Sequence, residues 1–229
     1  MMNDEWVAGY KRLWQMRSQA PIVTESWANS EWAKGRTDYF TFLIRVEAPE
    51  IIAAAQKAQE GLRAFSCADP YPTEYLHLTV KETGCFLVDE KESKDEITRE
   101  EITKLVESAR EALDGLGGFT VNVQNLNHFR SNIVAEAHDG GEIREMNRRL
   151  LRLEGVQKIG YDYPSFLPHM SLCQFKGTED HGQLVEHLET NRVAALGGFK
   201  VEKVSFVKAV LPVEERYPVL EVLDTITLG

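Results

Sequence analysis

One stretch of this chain is written twice, and any fold the chain adopts has to place both copies. Tyr71-Pro72-Thr73-Glu74-Tyr75-Leu76-His77-Leu78-Thr79-Val80 returns without a gap as Tyr163-Pro164-Ser165-Phe166-Leu167-Pro168-His169-Met170-Ser171-Leu172. In both, the core reads apolar, His, apolar, Thr or Ser, apolar. On a strand successive side chains alternate faces, so His77 and Thr79 share one face while Leu76, Leu78 and Val80 take the other. His169 and Ser171 do the same against Met170 and Leu172. A strand backed by a core and presenting a histidine beside a hydroxyl, made twice, has the makings of a site with two proton-transfer groups.

His-x-Ser/Thr alone is a weak pattern, because Ser and Thr are common and the chain has six histidines. The proline-aromatic loop at the same distance upstream of each histidine is harder to obtain by accident. A second echo sits elsewhere: Leu116-Gly117-Gly118-Phe119-Thr120-Val121 returns as Leu196-Gly197-Gly198-Phe199-Lys200-Val201. Each copy reads as the junction between a helix stop and a strand. The expectation is an internally duplicated chain whose two lobes contribute one histidine strand each.

Two such strands in two similar α/β lobes, the second written Pro-His-apolar-Ser-Leu, resemble the 2H phosphoesterase superfamily. That superfamily includes the LigT-like 2′-5′ RNA ligases and cyclic nucleotide phosphodiesterases. The resemblance covers about residues 39–229 and leaves residues 1–38 outside. Many members carry an arginine soon after a motif, where this chain has Lys81 and Gln174. The resemblance implies an α+β, bilobal fold: two pseudo-symmetric α/β lobes with mostly antiparallel sheets around a central cleft.

The length of 229 residues allows a sizeable core. The longest apolar runs are only a few residues, too short for a membrane span. The start, Met1-Met2-Asn3-Asp4-Glu5, lacks the basic-then-apolar order of a signal peptide. Cys67, Cys85 and Cys173 are odd in number and widely spaced, which suits reduced thiols in a cytoplasmic protein. Cys173 shares the His169 face by alternation and reads as a packed thiol. A net charge of −10 opposes binding along a nucleic-acid backbone. The expected partner is therefore a small phosphorylated nucleotide or an RNA terminus, with no long nucleic acid and no membrane, met by a monomer.

Residues 1–36 read as a mostly helical, Trp-rich extension, in which Trp6, Trp14, Trp27 and Trp32 pin the segment to the body or offer a stacking surface. Asp38 to Glu47 alternates as a strand, and Pro49 opens a helix to about Phe65. Thr98 and Glu101 form a capping box for a helix that Gly115 and Gly117 stop. Phe119–Val123 and Ser131–Ala137 read as strands separated by a loop. Asp180 and Gln183 suggest a second cap. Lys200–Val210 and Pro218–Leu228 close the chain as strands.

If the lobes face each other, a phosphate sits between His77, Thr79, His169 and Ser171. The resemblance implies that His77 and His169 are catalytic, one as general base and one as general acid, with no metal or other cofactor. Thr79 and Ser171 are the phosphate-binding hydroxyls, and Lys81 is a candidate to steady phosphoryl charge. Tyr75, Tyr163 and Phe166, in the loops before the motifs, either stack on a base or only fix those loops. The implied reaction opens a 2′,3′-cyclic phosphate or processes a 2′-5′ linkage. Two rivals differ in class: a non-catalytic nucleotide- or RNA-end-binding protein on the same fold, and a metal phosphohydrolase built on His138 and Asp139.

Overall fold

The computed structural model describes residues 3–23, 31–211 and 217–229. Trp27 lies outside the described residues. Helix α1 is Asn3–Gln15, followed by strand β1, Asp38–Arg45, and helix α2, Pro49–Leu62, with the proline in its first turn where its missing N–H costs nothing. Strand β2, Ala68–Pro70, and a single 3-10 turn at Thr73–Tyr75 lead into the first motif strand, β3, His77–Leu87. Strand β4 is Glu96–Ile97 and helix α3 is Arg99–Leu113, entered through the expected Thr98/Glu101 capping box. It stops at Gly115, whose φ of 72° is costly for residues with a Cβ.

Strands β5, Phe119–His128, and β6, Asn132–His138, form a hairpin, and helix α4, Glu142–Leu150, precedes the second motif strand, β7, His169–Phe175. Helix α5, His181–Thr190, and strands β8, Ala195–Val201, β9, Lys203–Val210, and β10, Val219–Thr227, complete the chain. Asp180 makes no side-chain cap for α5. Its carboxylate instead accepts from the Ser66 backbone N–H and hydroxyl, both at 2.7 Å.

The fold is α+β, with antiparallel strands in the order β10-β9-β1-β3-β7-β6-β5-β8. Two halves meet where β3 lies beside β7, with β2 paired to β7 and the short β4 parallel to β3, so the two motif copies are neighbours at the centre. The repeat unit is strand-helix-strand: β1-α2-β3 in one half and β6-α4-β7 in the other. Strands then cross over. β2 lies within the first unit yet pairs with β7, and β9 follows the second yet pairs with β1. Each half is thus completed by chain from the other unit, which ties the halves together.

The second echo has a different meaning from the one expected. Leu196 to Val201 lies inside β8, so Gly197-Gly198 is not a helix stop. It runs antiparallel against the other copy, with Phe119 opposite Val201 and Val121 opposite Phe199. The two copies are therefore ladder partners at the sheet's far edge and not equivalent points in two lobes.

Helices α2 to α5 cover one face. Phe40, Phe42 and Ile44 of β1, Leu78 and Val80 of β3, and Met170 and Leu172 of β7 join Ile51, Leu105, Met146 and Leu184 from α2, α3, α4 and α5 in one apolar core. Burial of that surface drives the fold. The alternate residues, including Thr41, Leu43, His77 and Thr79, line the opposite face, which forms a cleft.

Helix α1 belongs to the cleft side of the second half. The Tyr10 hydroxyl donates to the carbonyls of Pro168 and Ala137, the latter at 3.2 Å, while Asn127 Nδ2 donates to the Tyr10 carbonyl at 3.1 Å. Trp6 is buried, and the Arg192 guanidinium lies 4.7 Å from the Trp14 ring centroid. These two tryptophans anchor the extension. Trp32 differs, being 42% exposed and facing the cleft of the first half. Among the described residues no helix is long and apolar enough to cross a membrane, and Cys67, Cys85 and Cys173 are all buried free thiols.

Candidate active site

The site begins with one pairing. Leu78 of β3 is opposite Met170 of β7, both wholly buried on the helix side. In an antiparallel register that places His77 beside Ser171 and Thr79 beside His169, all four on the cleft face. Each histidine thus has the other motif's hydroxyl as its cross-strand neighbour. Two buried links hold the copies together: the Tyr71 N–H donates to the Leu172 carbonyl at 3.0 Å, and Gln59 Nε2 donates to both the Tyr71 and Leu172 carbonyls, at 2.9 and 2.8 Å.

The imidazoles are held alike. His77 Nδ1 lies 2.6 Å from the carbonyl of Tyr75, and His169 Nδ1 lies 2.8 Å from the carbonyl of Leu167, in each case two residues upstream. A carbonyl only accepts, so each Nδ1 carries the hydrogen and each Nε2 keeps its lone pair for the cleft. The Tyr75 ring stands edge-on to His77 at 5.0 Å, and Phe129 packs on His169 at 4.5 Å. Burial pushes His77 down to about 4, the carbonyl bond from Tyr75 opposing this and the nearby His169 adding to it. Burial also lowers His169. At neutral pH both rings are neutral until an anion arrives.

Beyond the hydroxyls the simple alternation fails, and it fails at the same place in both copies. Phe42 pairs with Lys81 but Leu43 pairs with Thr79, so Val80 is an extra residue in β3. Ile133 pairs with Cys173 but Val134 pairs with Ser171, so Leu172 is an extra residue in β7. Val80 and Leu172 each stand three residues after the histidine. A bulge of this kind shifts every later side chain to the other face.

The bulges turn Lys81 and Cys173, expected on the histidine faces, into the core. Lys81 is 0% exposed, and its ammonium donates to Asp162 Oδ2 at 2.8 Å, to the Gln157 carbonyl at 2.9 Å and to the Glu82 carbonyl. An ammonium has three hydrogens, so none is left for a substrate. Burial drives Lys81 down and Asp162 draws it back up. Cys173 receives the Asp69 N–H at 3.1 Å, and burial pushes its thiol up to about 12.

In exchange, the β3 bulge delivers Glu82, which lies opposite Thr41 and lines the same cavity as His77, Thr79 and Tyr75. Its carboxylate accepts from the Tyr39 hydroxyl at 3.0 Å and from the Tyr161 hydroxyl. No sequence signal marked Glu82, because a bulge in an apolar stretch leaves no trace in the alternation.

The remaining loop aromatics divide. Tyr75 is at the site, stacked at 4.8 Å on Tyr71. Phe166 is 2% exposed, and its ring belongs to the core. Tyr163 is 37% exposed and follows a different neighbourhood, with the Arg144 guanidinium 5.7 Å from its ring centroid. His138 and Asp139 make no metal site between them. His138 Nε2 meets Glu136 Oε2 at 3.0 Å, and Asp139 accepts from the Ile143 N–H at 2.7 Å, capping α4. Among the described residues no three His, Cys, Asp or Glu side chains converge as metal ligands would.

Residues 48–210 match the family model of the 2′-5′ RNA ligase superfamily, well over half of the chain's 229 residues. The chain belongs to this superfamily. It is the 2H phosphoesterase group that the paired motifs resemble. No curated protein matches the chain. Among solved structures, TT0787 of Thermus thermophilus superposes with a TM-score of 0.59 at 21% identity, over 83% of this chain and 97% of that one. E. coli LigT complexed with 3′-AMP gives a TM-score of 0.57 at 14% identity, over 84% and 98%. A structure described as a phosphoesterase gives 0.58 at 17%, over 83% and 98%. At these identities the likeness is one of fold. What lies outside the shared body in this 2′-5′ RNA ligase superfamily member includes α1, since the match starts at residue 48.

Proposed function

We propose that this protein is a metal-independent phosphoesterase that opens the 2′,3′-cyclic phosphate of a nucleotide or RNA end, or processes a 2′-5′ linkage, with His77 and His169 as its proton-transfer pair. The observation that carries the reading is the matched tethering of the two imidazoles. Each Nδ1 is held by a carbonyl two residues upstream, which among the described residues leaves both Nε2 atoms free on adjacent strands. A hydroxyl from the opposite motif flanks each ring.

A cyclic phosphate seated among these four groups brings a negative charge to two neutral rings. That charge favours protonation of one of them, offsetting the burial that keeps both pKa values low. The neutral ring accepts a proton from the attacking water as the new P–O bond forms. The imidazolium donates its proton to the leaving ribose oxygen as the old P–O bond breaks. The product is a monoester, and the two rings have exchanged protonation states, so proton exchange with solvent resets the pair. Thr79 and Ser171 donate to the phosphoryl oxygens, where negative charge builds in the transition state. Tyr75 closes one side of the pocket beside His77.

Membership of the superfamily supports this reading, as do the structural neighbours, one of which binds 3′-AMP. The buried thiols fit a reducing, cytoplasmic setting. Ring opening of 2′,3′-cyclic nucleotides followed by phosphorus NMR in EDTA tests it. Appearance of a monoester signal with the wild type supports the reaction. Tight nucleotide binding with no new signal on any cyclic or 2′-5′ linked substrate moves the assignment to a binding protein.

A further inference from the structure

Glu82 stands at the end of the cleft away from the phosphate groups. The cavity is lined by His77 and Thr79, with Tyr75 against His77, and by Trp32, Tyr39 and Glu82. Among the described residues that line it there is no lysine or arginine, and Glu82 is the one carboxylate. Two residues of β3, one of them the bulged Val80, separate Thr79 from Glu82; their partners Leu43 and Thr41 are two residues apart on β1, a span of about 7 Å at ordinary strand rise. That is about the long dimension of a purine base.

The carboxylate is held for use at that distance. One oxygen accepts from the Tyr39 hydroxyl and the other from the Tyr161 hydroxyl. A carboxylate oxygen has two acceptor directions, so among the described residues each keeps one open. The Trp32 ring, 5.2 Å from Tyr39, supplies an exposed aromatic face beside it, and Tyr75 continues the aromatic lining toward His77. The negative charge of Glu82 also raises the pKa of Tyr39, Tyr161 and Tyr75, in each case after burial as the larger cause, so these hydroxyls stay protonated and able to donate.

Resting on the nucleotide reading above, we infer that Glu82 is a specificity-determining residue that selects guanine. Two open acceptors side by side call for two adjacent donors. Guanine's N1–H and 2-amino group provide them along one edge. Adenine and cytosine place a ring acceptor next to their single amino group, and uracil flanks its one N–H with two carbonyl oxygens, which a carboxylate repels. Trp32 stacks on the base face, and the ribose then directs the 2′,3′-phosphate back toward Thr79 and the two histidines.

Two ratios test this on the full chain: kcat/KM for guanosine against uridine 2′,3′-cyclic phosphate, and affinity for 3′-GMP against 3′-UMP by calorimetry. The wild type is expected to favour guanine by roughly tenfold or more, the scale of one well-made bidentate contact. Glu82→Gln puts an amide N–H against the guanine donors and should bring both ratios close to one. Glu82→Asp keeps the charge but withdraws it by a methylene and should give an intermediate ratio, with circular dichroism checking that each variant is folded. Wild-type ratios near one, or a guanine preference that Glu82→Gln leaves intact, overturn the inference while turnover still upholds the phosphoesterase reading. A Glu82-dependent preference for 3′-GMP with no turnover upholds the inference and removes the proposed reaction.

Discussion

Leu78 stands directly opposite Met170, and among the described residues this is the one registered pair between the two motif strands. The arrangement of the site hangs on it. From that contact the antiparallel pleat sets each histidine beside the other copy's hydroxyl, and both partners are fully buried on the helix side. Leu78→Ala should cost about 2–5 kcal/mol of stability through lost burial and a residual cavity. It should also reduce turnover in the fraction that stays folded, because β3 and β7 lose their shared anchor. Urea unfolding together with kcat measured below the transition checks both. Full activity with the expected loss of stability would show that the register does not depend on this pair.

Lys81 behaves as a structural cation. Its ion pair with Asp162 is sealed, and Asp162 is further held by the Ile159 N–H at 2.8 Å and by Asn147 at 3.1 Å. Removing one member of a buried pair leaves the other charge uncompensated, typically a loss of about 3–5 kcal/mol. Lys81→Met should therefore lower the melting temperature while leaving KM of the folded enzyme within about twofold, the reverse of what a phosphate-binding lysine would show. Thermal melts paired with steady-state kinetics separate the two.

Acid should loosen the fold before it protonates the carboxylates. His128 is 2% exposed, with Nε2 3.0 Å from His181 Nε2, and burial followed by repulsion from His181 lowers it to about 4. Unfolded, it titrates near 6.5. Between those values the unfolded chain binds a proton that the folded chain refuses, so stability is full above about 6.5 and falls as pH drops toward 4. For His128 alone the slope approaches about 1.4 kcal/mol per pH unit, and His77, lowered for the same reason, acts in the same direction. Urea midpoints from pH 7.5 to 4.5 should show the decline, and His128→Phe should make it shallower. A flat profile in the wild type contradicts the account.

Periodicity carried much of this fold into view, because most of its elements obey one period. The strand from Asp38, the helix from Pro49 and the capping box at Thr98 lie where alternation, proline and cap chemistry place them. Both motif histidines and their hydroxyls come out on one face for the same reason. The expectation broke where backbone geometry departs from a regular pleat. β5 runs on to His128 through a bulge next to Asn125, whose φ is 54°, where the sequence reads as a loop. At Val80 and Leu172 an extra residue sits among apolar neighbours, so the pattern gives no warning that Lys81 turns inward and Glu82 outward. The pairing of β2 with β7 and of β9 with β1 across the halves was equally hidden, since pairing of distant strands depends on contacts that no local window contains.

The paired role of the histidines is tested most directly by comparing wild type, His77→Ala and His169→Ala on a panel of 2′,3′-cyclic nucleotides and a 2′-5′ linked dinucleotide in EDTA. Each replacement is expected to lower kcat by roughly 10²–10⁴, the usual worth of a general acid or base, with circular dichroism and melting showing a retained fold. A folded His77→Ala or His169→Ala variant with wild-type turnover would contradict the two-histidine mechanism.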